Sequence, residues 1–296
     1  MLLASVFMLI VARSIAGRCE LPLFVFVSHH KAGTHLVDQL VRSSRLVFGE
    51  AMRFGDANSP GNAFRHDWSA ADDIRLLRHY WRMDNVSFQL LDAGCRPFKM
   101  VHVIRDPMEL IISAYWYHRK YMDVPFGHET NFKTLQSVSL GEGLEREALA
   151  NLHGTLREMA DVVKLTAVDE RVITIGLEDF GDDFNLTVSC VFQYLLERSP
   201  WSRRWKSLVD SAQIANKELW SRPERSHLRS EIDRDSPLHP IVATSKSERA
   251  LAMALIDAST SPVWKEVGSL RLALGYAEQT FGTLRRPMPE VCGTLA

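Results

Sequence analysis

The amino-acid sequence predicts an α/β fold, in which a parallel β-sheet is flanked by helices on both faces as a three-layer sandwich. Three short, continuously apolar segments are typical of strands that are buried on both faces. Segments with helical periodicity separate them, and strands that alternate with helices favour a parallel sheet. The 296 residues are 46% apolar and 24% charged, which is the composition of an ordinary globular protein. We expect a single domain over residues 19–296.

The chain begins with an apolar run that ends at Arg13. This run is shorter than the roughly 20 residues that a membrane-spanning helix needs, and Ser14 and Ala16 suit a signal-peptidase site. Residues 1–18 are therefore predicted to be a signal peptide, with a short membrane anchor as the alternative. Glycosylation acceptor patterns at Asn85 and Asn185 agree with the secretory pathway, which means the Golgi lumen or secretion.

The first strand is predicted at Leu21–Val27, and a helix begins near Thr34. The loop between them contains Lys31, Ala32 and Gly33. Backbone N–H groups and the dipole at a helix start favour a bound phosphate, and a glycine allows the backbone to approach it closely. Lys31 adds a positive charge, and Thr34 adds a hydroxyl group. Because Lys31 precedes the glycine, the loop is not a Walker A motif, so ATP or GTP is the less natural ligand.

A second phosphate-binding feature follows the second predicted strand, Met100–Ile104. The strand leads directly into Arg105, and Pro107 then suits the first turn of a helix. The guanidinium of Arg105 can hold a phosphate with two parallel hydrogen bonds. Ser113, two helical turns further on, can donate its hydroxyl. Between the two features, the stretch Phe48–Ala71 is rich in Gly, Asn, Asp and Pro and is interpreted as a long functional loop.

The remainder of the chain continues the alternation of helices and strands. Helical patterns occupy about Gly143–Leu165, a third strand is predicted at Arg171–Leu177, and a further helix covers about Asp183–Leu196. The tail Pro200–Ala296 is mostly polar and helical with several breakers, and its role does not follow from the sequence.

Charge and cysteine content limit the function classes. The 35 basic and 36 acidic residues nearly cancel, so the composition gives no case for a nucleic-acid partner, and any anion site must be local. The four cysteines, Cys19, Cys95, Cys190 and Cys292, are scattered and lack the spacing of a zinc site. Up to two disulfides or buried reduced thiols both fit this pattern.

The two phosphate-binding features resemble those of the sulfotransferases that use 3′-phosphoadenosine-5′-phosphosulfate. Lys31-Ala32-Gly33-Thr34 matches the family's 5′-phosphosulfate loop, although His35 stands where the family has a second hydroxyl residue. Arg105 and Ser113, eight positions apart, match its 3′-phosphate motif. Weaker similarity at Gly143–Glu147 and Leu177–Phe180 extends the resemblance to about Leu21–Leu196.

The resemblance implies a fold like that of P-loop NTPases and the transfer of a sulfuryl group to a hydroxyl or amine of a carbohydrate or small molecule, with no metal. It implies a donor site formed by seven residues, Lys31, Ala32, Gly33, Thr34, His35, Arg105 and Ser113. Lys31 would also assist catalysis as an electrophile. The late Arg-Lys-Gly loop of cytosolic members is absent, which favours the secretory or bacterial branch.

Sulfuryl transfer also needs a base that takes the proton of the acceptor. His66 lies at the end of the Gly- and Asn-rich loop, where family members place such a base, and is the leading candidate. Asp67 and His79 are the others, and His79 lies in a pattern that is interpreted as helical.

Two other function classes stay open. A P-loop NTPase or small-molecule kinase shares this architecture, but it needs a Mg²⁺-binding Ser or Thr directly after a Gly-Lys pair, which the loop lacks. A non-catalytic secreted binding protein on the same scaffold is the other class. Neither the acceptor nor the oligomeric state follows from the sequence.

Overall fold

The computed structural model describes residues 23–48, 52–56, 74–79, 97–120, 129–167, 169–197, 202–213, 244–276 and 292. The predicted signal segment, residues 1–18, and the base candidates His66 and Asp67 lie outside the described residues. Among the helices that are described, none combines the length and the apolar character that crossing a membrane requires.

A parallel β-sheet forms the centre of the fold and confirms the predicted fold class. Its strands are β1 (Leu23–Ser28), β2 (Met52–Asp56), β3 (Ile74–His79), β4 (Phe98–Ile104) and β5 (Val172–Gly176). They lie in the order β2-β3-β1-β4-β5, and each neighbouring pair is parallel. The carboxyl ends of β1 and β4 are therefore adjacent, which is where an open α/β sheet usually binds its ligand.

Three of these strands, β1, β4 and β5, were predicted because they are short, continuously apolar runs. The interpretation of Phe48–Ala71 as a loop was wrong in part, since β2 lies within that stretch. The helical interpretation around His79 was also wrong, because His79 ends β3 and pairs in register with Val27 of β1. In both missed strands arginines interrupt the apolar residues, so pairing with distant strands decides their conformation more than local periodicity does.

Ten helices are described around the sheet, and their bounds follow in chain order. They are α1 (Thr34–Phe48), α2 (Pro107–Lys120), α3 (Glu129–Ser137), α4 (Leu140–Leu152), α5 (Thr155–Thr166), α6 (Leu177–Asp182), α7 (Phe184–Leu196), α8 (Trp205–Ala212), α9 (Lys246–Ala258) and α10 (Pro262–Ala273). The starts of α1 and α2 agree with the prediction. The long helical pattern over Gly143–Leu165 corresponds to two helices, α4 and α5, with a break at His153 and Gly154.

Two hydrophobic cores hold these layers together. One core joins apolar side chains of β1, β4 and β5 to α1, α7 and α8. The other joins α2, α4, α5, α9 and α10 near the end of β4. A disulfide between Cys190 of α7 and the buried Cys292 fixes residue 292 to helix α7. The sequence left disulfides and reduced thiols open for these two cysteines, and the structure pairs them.

Candidate functional site

The loop that joins β1 to α1 is a compact turn with two left-handed residues. The backbone φ angle is 61° at Lys31 and 93° at Gly33. The carbonyl of His29 closes the turn, because it accepts hydrogen bonds from the N–H of Ala32 at 2.9 Å and from the hydroxyl of Thr34 at 3.1 Å. The turn leads directly into the first turn of α1, whose N–H groups form a general anion-binding feature.

Gly33 is required at its position for two reasons. A φ of 93° is a conformation that residues with a Cβ rarely adopt. In addition, a Cβ at this position would lie 3.0 Å from Cδ1 of Leu177 and 3.2 Å from Cγ1 of Val103. The loop therefore packs closely against β4 and the start of α6, which fixes its position relative to the end of the neighbouring strand.

Arg105 lies at the end of β4 and contacts this loop directly. Its Nη1 donates a hydrogen bond of 3.0 Å to the carbonyl oxygen of Lys31, although 74 positions separate the two residues in the sequence. Ser113 is half-buried on α2, one helical turn after Glu109, so the two share a face of the helix. The structure thus brings the Lys31 loop and Arg105 together and places Ser113 on the helix that follows.

The two cations of the site are partly shielded from water. Burial lowers the pKa of Lys31 well below that of an ordinary lysine, the charge of Arg105 lowers it further, and Glu147 opposes the shift. Burial also lowers the pKa of Arg105, against the opposing charges of Glu109 and Glu178. The ammonium of Lys31 lies 3.0 Å from the centroid of the Tyr117 ring, which is a cation–π contact. An anion bound here would interact with incompletely hydrated positive charges, which strengthens the attraction.

The start of α2 is tied to the C-terminal helices by ion pairs. Glu109 lies 4.0 Å from Nη2 of Arg105 and accepts a 2.6 Å hydrogen bond from Nε of Arg249 on α9. Asp106 pairs with Arg271 of α10 at 2.8 Å. Both partners lie in the tail whose role could not be predicted, and no local pattern links residues that are 140 and 165 positions apart. These pairs position the turn of chain that carries Arg105.

Glu178 of α6 supports the same turn from the other side. Its carboxylate accepts a 3.0 Å hydrogen bond from the N–H of Asp106 and a 2.9 Å bond from the hydroxyl of Tyr276. Burial raises the pKa of Glu178, while these donors and Arg105 lower it. Burial and the charge of Glu178 raise the pKa of Tyr276. The segment Leu177–Phe180, singled out in the sequence, is therefore a structural support of the site.

A chain of hydrogen bonds begins at the loop and was missed in the sequence. Nε2 of His30 lies 3.2 Å from Nε2 of His118 on α2. Nδ1 of His118 lies 3.0 Å from both carboxylate oxygens of Glu147 on α4, and Asn151 donates a 2.8 Å hydrogen bond to Oε1 of Glu147. His118 and Glu147 are each only 3% exposed. A second pair consists of His29, directly after β1, and His102 of β4, whose Nε2 atoms lie 2.8 Å apart.

The predicted site residues are thus distributed over three places. Lys31, Ala32, Gly33, Thr34 and His35 form the loop and the first turn of α1, and Arg105 and Ser113 follow β4. His66 lies outside the described residues. Within the part of the chain that the structure describes, no group of three or more His, Cys, Asp or Glu side chains is placed to hold a metal ion.

Comparisons with known proteins give matches among solved structures alone. No family model matches the chain, and no curated protein matches it. The crystal structure of mouse sulfotransferase SULT7A1 complexed with PAP matches over 83% of this chain and 88% of that one, with a TM-score of 0.45 and 13% sequence identity. At this level the likeness says nothing about what this chain binds, so its chemistry has to be argued from the site itself.

Proposed function

We propose that this protein is a sulfotransferase that moves the sulfuryl group of 3′-phosphoadenosine-5′-phosphosulfate to a hydroxyl or amine acceptor. One observation carries the proposal: Arg105 donates a hydrogen bond to the carbonyl of Lys31. The contact supports the proposal, because it brings Arg105, which the resemblance assigns to the 3′-phosphate, against the loop that the resemblance assigns to the 5′-phosphosulfate. A nucleotide with phosphates at both ends of its ribose is the ligand that needs two such clamps side by side.

The roles of the residues follow from the charge that develops during transfer. Sulfuryl transfer is an in-line displacement in which negative charge accumulates on the departing phosphate. Lys31 and the N–H groups of the α1 start would stabilise this charge, and the positions of Gly33 and Thr34 keep the loop closed around it. Arg105 and Ser113 would bind the 3′-phosphate. Because the cations are fixed before the ligand arrives, little reorganisation is needed at the moment of reaction.

The base and the compartment are part of the proposal. His66 is the base that the sequence suggests, and its role stays a prediction because it lies outside the described residues. We place the protein in the secretory pathway, reached through the leader at residues 1–18. The disulfide between Cys190 and Cys292 supports this location, since disulfides persist mainly in oxidising compartments.

The direct test is transfer of ³⁵S from the labelled donor to a panel of acceptors: N-acetylglucosamine, tyramine, p-nitrophenol and water. We expect labelled product in the presence of EDTA, because no residue of the proposed site requires a metal. Phosphoryl transfer from ATP that depends on Mg²⁺ would instead identify a kinase or NTPase. Tight binding of adenosine 3′,5′-bisphosphate with no transfer to any acceptor would identify a binding protein on this scaffold.

A further inference from the structure

The residue before Lys31 begins a connected path of side chains that leads from the loop into the protein interior. His30 is half-buried at the loop, and its ring is within 4° of parallel to the ring of His118. The two Nε2 atoms are 3.2 Å apart, and His118 continues to Glu147 at 3.0 Å. Asn151 holds the same carboxylate at 2.8 Å. Each link is within hydrogen-bond range, and the far end of the path is buried.

The carboxylate at the buried end sets the direction of the hydrogen bonds when His118 is neutral. Glu147 accepts, so Nδ1 of His118 is the donor, and Nε2 of a neutral His118 carries a lone pair. The 3.2 Å contact therefore makes Nε2 of His30 the donor. The lone pair of His30 is left on Nδ1, which is the form of an imidazole that can accept a proton.

The position of this path near Lys31 bears on whether His30 can act as a base. The ammonium of Lys31 lies 3.0 Å from the centroid of the Tyr117 ring, and the ring of His30 meets the same tyrosine with a centroid distance of 6.0 Å. Because both groups contact Tyr117, the ammonium of Lys31 would repel a positive charge on His30, which makes His30 by itself a poor base. The path removes this difficulty, since the charge can move from His30 to His118, where Glu147 compensates it.

Resting on the proposed function, we infer that His30, in place of His66, is the base that deprotonates the acceptor, and that His118 and Glu147 position it and receive the charge. The acceptor oxygen forms the new bond to sulfur while the bond from sulfur to the bridging phosphate oxygen breaks, and that electron pair leaves with the bisphosphate. The acceptor proton moves to Nδ1 of His30. The Nε2 proton of His30 moves to Nε2 of His118, which becomes an imidazolium beside the carboxylate of Glu147.

A merely structural role for the buried pair predicts different kinetics. If Glu147 acts through His30, then Glu147→Gln lowers kcat only while His30 is present. A structural Glu147 would instead lower kcat and donor affinity in any background. Double-variant kinetics separate the two cases, because groups that act as one unit are not additive.

The experiment measures kcat with ³⁵S-labelled donor and the panel acceptor that the native protein sulfates fastest, and Kd for adenosine 3′,5′-bisphosphate by calorimetry. His30→Ala should lower kcat by about 10²–10⁴-fold and leave Kd within about threefold of native. Glu147→Gln should lower kcat by about 10–10⁴-fold, the range found for groups that orient a catalytic histidine. Added imidazole should restore part of the activity of His30→Ala. Glu142→Gln is the matched control, because Glu142 is an exposed residue of the same helix, paired with Arg146.

The decisive comparison is the double variant His30→Ala/Glu147→Gln, which should be no slower than His30→Ala alone. A further loss in the double variant, or a kcat of His30→Ala within threefold of native, would overturn the inference and leave the sulfotransferase proposal standing. ¹⁵N NMR of the native protein gives a readout besides activity: protonation of His30 at Nδ1 rather than Nε2 would also overturn it. Absence of sulfuryl transfer by the native protein would refute the proposed function and the role of His30 together.

Discussion

The substitution Gly33→Ala tests whether the loop geometry is required both for the fold and for the site. The residue has a φ of 93°, and a Cβ there would lie 3.0 Å from Leu177 and 3.2 Å from the fully buried Val103. A left-handed conformation costs an alanine roughly 1–2 kcal/mol. Crowding in a packed interior typically costs about 1–3 kcal/mol, and the flexible end of the Leu177 side chain places this case in the lower part of that range. Together these terms predict that the free energy of unfolding falls by about 2–4 kcal/mol.

Urea unfolding measures this change, and calorimetry with adenosine 3′,5′-bisphosphate measures the accompanying loss of affinity. We expect affinity to fall by at least about tenfold, because any relaxation that relieves the contacts moves the loop away from Arg105. Gly268→Ala is the matched control: it lies inside α10, and its added Cβ would have no atom within 4 Å beyond its chain neighbours and the backbone of its own helix. Removing a glycine from a helix interior should stabilise the protein by about 0.5–1 kcal/mol. Unchanged stability and affinity in Gly33→Ala would show that neither the φ angle nor the contacts at this position constrain the loop.

Three further predictions concern the charge of the site and the supports of the fold. Burial lowers the pKa of Lys31 and a bound phosphate raises it, so binding of the bisphosphate should be coupled to proton uptake at pH values between the lowered pKa and that of an ordinary lysine. Calorimetry in buffers of different ionisation enthalpy measures this uptake. If the uptake persists in Lys31→Ala, Lys31 is not the group that takes up the proton. Replacing Cys190 and Cys292 by serine should lower the free energy of unfolding by about 2–5 kcal/mol, because the disulfide links residues that are 102 positions apart and restricts the unfolded chain. An unchanged midpoint of urea unfolding would argue against the disulfide. In Gly143→Ala the new Cβ would lie 2.5 Å from Cε2 of the buried Tyr115, so the free energy of unfolding should fall by about 1–3 kcal/mol. An unchanged free energy of unfolding would show that the Tyr115 ring can move aside.

The elements that could be predicted from the sequence are those whose burial is evident from a short run of neighbouring residues. Strands β1, β4 and β5 are buried on both faces and are read as continuous apolar runs. Parallel pairing then places the ends of β1 and β4 side by side, so Lys31 and Arg105 were expected near each other, and the structure shows them in contact. Their roles as phosphate ligands stay predictions, since position alone does not establish binding.

The parts that could not be predicted depend on contacts between distant segments. Strand β3 has no clear alternation, and only its pairing with β1 defines it. The path from His30 through His118 to Glu147 joins residues that are 88 and 29 positions apart, so no spacing rule reveals it. Arg249 likewise reaches Glu109 from a helix that the sequence left without a role. Side-chain networks of this kind are set by packing and not by local propensity.

If the Lys31 loop and Arg105 form one site for a nucleotide bisphosphate, removal of the Arg105 guanidinium must weaken binding there, and the affinity of Arg105→Ala for adenosine 3′,5′-bisphosphate measures the loss. The matched control is Arg146→Ala, which removes an exposed arginine paired with Glu142 on α4. With EDTA present, we predict that the native protein binds and that Arg146→Ala binds as well. Arg105→Ala should lose about 2–5 kcal/mol of binding free energy, a weakening of roughly 30- to 5,000-fold. Equal affinity of Arg105→Ala and the native protein, or binding that requires Mg²⁺ and prefers ATP, would contradict the account.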